Sequence, residues 1–112
     1  MKDMRFLCKE NALTASIYID LRRKVNFKEY RKEDVETAIA NSLYSVVVFD
    51  DKRPIGIARI VGDGRIAFFI KDVVVDPAYQ KNRIGNLLMQ KLQEYLAGAA
   101  CEGAYIGLMS TP

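Results

Sequence analysis

Lys71-Asp72-Val73-Val74-Val75-Asp76-Pro77-Ala78-Tyr79-Gln80-Lys81-Asn82-Arg83-Ile84-Gly85-Asn86 is the stretch that decides the fold, because an apolar strand passes through a short polar loop directly into an amphipathic helix. Asp76-Pro77 breaks the strand, Gly85 permits close backbone approach, and Asn86 to Leu96 repeats apolar residues at helical spacing. The first N–H groups of such a helix lack intrahelical partners and sit at the positive end of its dipole, so a phosphate there satisfies both. Lys81 and Arg83 add formal charge beside it. Every βα unit has a turn of this kind and most bind nothing, which leaves a plain structural turn as the alternative.

Upstream of this stretch, Ile66 to Val75 is one long strand whose near-continuous apolar character implies cover on both faces. Gly62-Asp63-Gly64 turns into it from Ile55 to Val61, and Asp50 to Pro54 is the turn that joins that strand to Tyr44 to Phe49 in a hairpin. Two helices precede the hairpin. One is capped by Thr14 and carries Ile17, Leu21 and Val25 on one stripe; the other runs from about Lys32 to Asn41, with Glu33, Asp34 and Glu36 near its positive end. Met4 to Lys9 reads as a first strand. Downstream, Ile84, Leu88, Leu92 and Leu96 mark a helix face that Gly98 is placed to terminate, and Ala104 to Met109 is a last strand. Strand, helix and strand then form a right-handed parallel crossover. The order is β-α-α-β-β-β-α-β, an α/β fold with a mixed central sheet and helices on both faces.

A chain of 112 residues, half of them hydrophobic, is expected to form a single domain, residues 1–112, with a sufficient core. No apolar run approaches the roughly 20 residues that span a bilayer, and Met1-Lys2-Asp3-Met4-Arg5 lacks the apolar stretch of a secretory signal, so a soluble cytoplasmic protein is expected. Cys8 and Cys101 match no metal-ligand spacing and read as free thiols of a reducing compartment. Histidine is absent, which removes Ser-His and Cys-His pairs and most zinc sites and leaves a carboxylate, tyrosine, lysine or water as any base. The net charge of +3 suits an anionic ligand but falls short of a nucleic-acid-binding face, and Arg22-Arg23-Lys24 reads as a solvated helix surface.

The segment from Val73 to Asn86 resembles motif A of the GNAT superfamily of N-acetyltransferases, in which an apolar strand and Asp-Pro lead to Gln/Arg-x-x-Gly-x-Gly/Ala at a helix start. Here that pattern is Gln80-Lys81-Asn82-Arg83-Ile84-Gly85-Asn86, with Gly85 at the second glycine position and Arg83 where the first usually stands. The resemblance implies acetyl-CoA as co-substrate and no metal. Its pyrophosphate would be held by Gln80, Lys81, Asn82, Arg83, Ile84, Gly85 and Asn86, and its pantetheine arm by the backbone of Val73, Val74 and Val75. The Arg83 side chain either points outward as an added cation or obstructs the wrap. Asp72 is the family-like candidate for a base or an amine-orienting carboxylate, with a surface carboxylate paired to a neighbouring cation as the alternative. The Val74 N–H is the candidate oxyanion donor. Tyr79 and Tyr105 read as structural.

The element order matches the start of the GNAT fold over the whole chain, with the family's last helix and two strands absent. The resemblance thus implies an acetyl-CoA-dependent N-acetyltransferase acting on a primary amine of a small molecule, with no nucleic-acid or membrane partner. The alternative is a noncatalytic acyl-CoA-binding or partner-binding remnant of the fold. Tyr18, Arg22, Phe27 and Tyr30 are generic candidates for acceptor contacts. An apolar edge at Ala104 to Met109 is expected to pair with a second copy in a homodimer or other self-association.

Overall fold

The structure, a computed structural model, describes residues 6–108, so the expected strand start at Met4 and strand end at Met109 lie outside the described residues. In chain order the elements are β1 (Phe6–Glu10), α1 (Ala15–Lys24), α2 (Lys32–Ala40), β2 (Tyr44–Asp50), β3 (Arg53–Gly62), β4 (Ala67–Val75), a 3-10 turn (Pro77–Tyr79), α3 (Ile84–Ala99) and β5 (Tyr105–Leu108). The expected order is the observed one. Thr14 caps α1 by accepting the Ile17 amide at 3.3 Å. Asp63 closes the turn between β3 and β4 by accepting the amides of Arg65, Ile66 and Ala67 at 2.8, 2.9 and 3.1 Å, bonds that hold its carboxyl below the usual carboxylate range. Gly98 does not end α3: it lies exposed in the last turn, and the helix runs on to Ala99.

The five strands form one sheet in the order β1-β2-β3-β4-β5, with antiparallel pairs throughout except for parallel β4 and β5. α3 packs on one face against Val46, Val48, Ala58, Ile60, Phe68 and Ile70; α1 and α2 cover the other, against Val47, Ile57 and Val74. Leu21 of the expected α1 stripe is fully buried, while Ile17 and Val25 are only partly so, because the inward face is centred on Tyr18, Leu21 and Arg22. Arg22 therefore corrects the expectation of a solvated basic triplet. One helical turn after Tyr18, it shares that buried stripe and is 5% exposed, whereas Arg23 and Lys24 are exposed.

α3 crosses β3 at Gly56, where a Cβ would lie 2.7 Å from Ile84 Cγ2 and 3.4 Å from Leu88 Cδ1. Glycine is needed there by close approach, and Ile84, wholly buried in the first turn of α3, is the side chain that occupies the space. This contact fixes where the helix begins relative to the end of β4. Gly56→Ala is expected to destabilise the fold by about 1–3 kcal/mol through overpacking, read as a lower urea midpoint at unchanged slope.

Candidate active site

The site grows from an irregularity in β4. Arg59 pairs with Lys71 and Ile57 with Val74, so Ala58 alone faces two residues, Asp72 and Val73. This is a β-bulge. Asp72 sits in the left-handed region at φ 59°, a conformation that costs a residue with a side chain about 1–2 kcal/mol and that Asp tolerates better than most. The extra residue switches the faces of the strand. Phe68 and Ile70 point to the α3 core, but Asp72 and Val74 point to the side of α1 and α2, together with Lys71.

The Asp72 side chain is 1% exposed and fully engaged. One oxygen accepts from Arg22 Nη1; the other accepts from the Tyr18 hydroxyl and from Arg59 Nε, both at 2.8 Å. Arg22 in turn donates from Nη2 to the Lys28 carbonyl at 3.0 Å and lies against the rings of Tyr18, Phe27 and Tyr30, 5.2, 5.0 and 5.5 Å from their centroids. Arg59 donates from Nη1 to Ser42 Oγ at 3.0 Å. Burial, reinforced by the Asp72 charge and hydrogen bond, pushes the Tyr18 phenol up to about 12, so it stays protonated and donating. This arrangement engages both oxygens of Asp72, the sequence-based candidate for a base or an amine-orienting carboxylate. A carboxylate locked between two guanidiniums and a phenol has each oxygen already accepting a hydrogen bond. Its work is to hold the bulge.

The bulge also redirects the backbone. The Asp76 amide donates to the Ile55 carbonyl of β3 at 2.8 Å, and on the far side of the bulge the Ile66 carbonyl accepts from Tyr105 of β5 at 2.8 Å. Strand alternation from Asp76 then turns the Val74 N–H toward β3 and the N–H groups of Val73 and Val75 toward the β5 side. The Val74 side chain is 2% exposed in the core of the α1 and α2 face, and its N–H, the sequence-based candidate oxyanion donor, lies on the β3 side. Pairing of β4 with β5 ends at Ile70 and Leu108, so beyond Lys71 this edge of β4 has no strand beside it among the described residues. The Val73 and Val75 amides lie on this edge.

At the end of β4, Asp76 accepts the Ala78 amide at 2.9 Å and receives Lys24 Nζ at 2.9 Å and Arg53 Nη2 at 3.5 Å. Burial raises the carboxyl of Asp76, but the Ala78 amide, Lys24 and Arg53 together outweigh it and hold the group below the usual range. Beyond the 3-10 turn the Asn82 amide is taken by the Tyr79 carbonyl at 3.0 Å, and the Arg83 carbonyl accepts from Leu87 at 3.2 Å to begin α3. The amides of Ile84, Gly85 and Asn86 meet no protein acceptor among the described residues. Gly85 itself has neither a positive φ nor any atom within 4 Å of where its Cβ would stand, so neither strain nor packing accounts for glycine there. Arg83 adopts φ 64°, the conformation a glycine would supply, with an exposed side chain that makes no ion pair among the described residues. The exposed Lys81 is likewise unpaired among them.

Tyr79 donates to Asp50 Oδ2 at 2.6 Å, and the exposed Tyr105 packs on Phe69. On the α1 and α2 face, a cavity of about 220 Å³ is lined by Tyr18, Tyr30, Asp34, Val35, Ala38, Arg59 and Lys71. A larger, shallower hollow of about 440 Å³ lies between α1 and the start of β3, on the opposite edge of β4 from β5, and is lined by Ser16, Ile17, Arg23 and Arg53 among others. The smaller cavity adjoins the bulge and is the one the site can use. Arg59 and Lys71 escaped the sequence reading. A lone arginine between Ala58 and Ile60 in an otherwise apolar strand was the available signal.

Comparisons with known proteins identify the family and the fold. The model of the Acetyltransferase (GNAT) family matches residues 12–110. A curated relative, GCN5-related N-acetyltransferase 1, chloroplastic, of Arabidopsis thaliana, is 35% identical over 74 residues, which are 64% of this chain and 38% of that protein. This chain thus spans well under half of that relative. Among solved structures, a Staphylococcus aureus protein described as a probable acetyltransferase superposes with a TM-score of 0.88 at 28% identity, covering 95% of this chain and 80% of the other. A GNAT family acetyltransferase from Streptococcus pneumoniae does so with a TM-score of 0.79 at 25% identity, covering 95% and 76%. Arg83 at the family's glycine position, the bulge in β4 and the open amides of α3 are therefore features of a chain that belongs to the Acetyltransferase (GNAT) family.

Proposed function

We propose that this protein is an N-acetyltransferase that transfers an acetyl group from acetyl-CoA to a primary amine of a small molecule. The observation that carries this reading is a pair of amide sets joined by one short loop: Val73 and Val75 on the β5 side of β4, with no strand beside them among the described residues, and Ile84 to Asn86 at the start of α3, with no protein acceptor among those residues. The first set suits the amide groups of a pantetheine arm. The second, with Lys81 and Arg83 beside it, suits a pyrophosphate. Bound there, acetyl-CoA would supply the activated acyl group as a thioester.

The chain's own residues would do the rest. The Val73 N–H faces the place where negative charge develops on the acyl oxygen, and the bulge at Asp72 keeps it aimed there. The amine enters from the cavity beside Lys71, loses its proton to water at the open mouth near the exposed Tyr30, and forms the new C–N bond as the C–S bond breaks. The departing thiolate takes up a proton from solvent. Nothing in this scheme requires a histidine or a metal.

Calorimetric titration tests the cofactor site. Gly85→Ala should raise stability by roughly 0.5–1 kcal/mol, since a methyl in the first turn of a helix meets no protein atom, while Gly85→Trp should abolish acetyl-CoA binding without unfolding the chain. Undiminished binding by Gly85→Trp would refute the loop as the site. Asp72→Asn should cost about 3–5 kcal/mol of stability by leaving two buried guanidiniums short of a counter-charge, and should weaken acetyl-CoA binding as well. A variant of native stability whose only defect is a slower chemical step would instead restore Asp72 as a base. Thiol release with a panel of amines separates the enzyme from a noncatalytic acyl-CoA-binding protein, which would show stabilisation by the ligand and no release.

We further infer self-association through β5. Tyr105, Ile106 and Leu108 are 61%, 46% and 65% exposed, and no strand pairs the outer edge of β5 among the described residues. Light scattering at micromolar concentration should show a dimer or larger species that Ile106→Lys shifts toward monomer. A monomer throughout would overturn this inference.

A further inference from the structure

The cavity beside the bulge carries a charge pattern that selects its occupant. Three cations, Arg22, Arg59 and Lys71, surround the single carboxylate of Asp72. Arg22 is fully engaged, its Nη1 on Asp72 and its Nη2 on the Lys28 carbonyl. Arg59 is not: its side chain is 8% exposed, its Nε serves Asp72 and its Nη1 serves Ser42, but its Nη2 has no hydrogen-bond partner among the described residues, although the residue lines the cavity. Lys71 reaches Asp72 only at 4.0 Å and keeps a third of its side chain exposed at the same wall. The one carboxylate on the rim, Asp34, is exposed and held by Arg31 at 3.2 Å. The cavity therefore ends in two cationic groups with donors to spare and no free acid to receive a second ammonium.

We infer that the acceptor amine carries an oxyanion, a carboxylate or a phosphate, which Arg59 Nη2 and Lys71 Nζ bind while the amine faces Val73. The inference rests on the acetyltransferase reading and narrows it to an anionic acceptor. About 220 Å³ accommodates a molecule of amino-acid or amino-sugar size, with Tyr18, Tyr30 and Val35 as its apolar wall. A polycationic acceptor would place ammonium groups against Arg59 and Lys71. Lys71 lies one residue before the bulge and shares its face, so the bound anion is anchored to the same strand whose next amide but one, at Val73, opens on the thioester position. Anchoring and reaction are thereby set by one stretch of backbone.

Calorimetric binding to the full chain in the presence of CoA separates this inference from the reading beneath it. The probes are phenylalanine against phenylalaninamide for the carboxylate, and glucosamine 6-phosphate against glucosamine for the phosphate. In at least one pair the anion should bind tenfold or more tightly than its neutral partner, and Lys71→Met should erase that preference while leaving CoA affinity and the melting temperature unchanged. The pair that shows the preference identifies the anion. Equal binding within both pairs, preference for the neutral partner, or a preference that survives Lys71→Met would each overturn the anionic acceptor while CoA binding still stands. Loss of CoA binding in the unaltered chain would instead sink the acetyltransferase reading itself.

Discussion

A single buried carboxylate organises this molecule. Asp72 stands at a left-handed position in the middle of a sheet and is met by Arg22 from α1, Arg59 from β3 and Tyr18 from α1. Ion pairs out of contact with water contribute little net stability, since desolvation offsets most of the attraction. Their contribution here is geometric. They hold a residue in a conformation that an isolated strand would abandon, and in doing so they switch the direction in which the following amides point. Helix, hairpin and strand are fastened together at the one place where the β4 ladder is interrupted.

That interruption divides the sheet into two halves with different tasks. Before it, β4 pairs on both sides and its apolar side chains fill the core under α3. After it, the same strand keeps its β3 partner, its other edge has no strand beside it among the described residues, and its side chains alternate in the opposite sense. The cofactor end and the acceptor cavity are consequently on either side of one short run of residues, 71–75. The loop that follows adds a second requirement, met at Asp76, whose carboxylate caps the 3-10 turn and gathers Lys24 and Arg53. The backbone thus leaves the sheet in a fixed direction and passes through the 3-10 turn into the first turn of α3.

Much of this was readable in the residues. Three valines followed by Asp-Pro gave the strand and its end, Thr14 gave a helix start, and the four-residue spacing of Ile84, Leu88, Leu92 and Leu96 gave the buried face of α3. The bulge was not readable, because an αL residue announces itself through glycine, and here Asp72 and Arg83 adopt that conformation instead. The bulge reverses the parity of everything after it, so plain alternation along the residues misplaces the edge toward which the Val73 and Val74 amides turn. Arg22 was misplaced for a related reason. Read as one of three consecutive cations it looks solvated, but read at helical spacing from Tyr18 it falls on the buried stripe, and a buried arginine demands the acid that Asp72 supplies. Gly98 was read as a stop because glycine often ends helices; an exposed last turn tolerates it instead.

The seat of α3 on Gly56 has a consequence for how a nucleotide would be received. The first turn of that helix is wedged by Ile84 against the bare backbone of β3, so the donor groups of Ile84, Gly85 and Asn86 inherit their aim from a fully buried contact and not from a flexible lip. A receptor of that kind arrives already arranged. Little conformational freedom is surrendered when the diphosphate docks, and the heat released by its new hydrogen bonds is retained as affinity instead of being spent on ordering the chain.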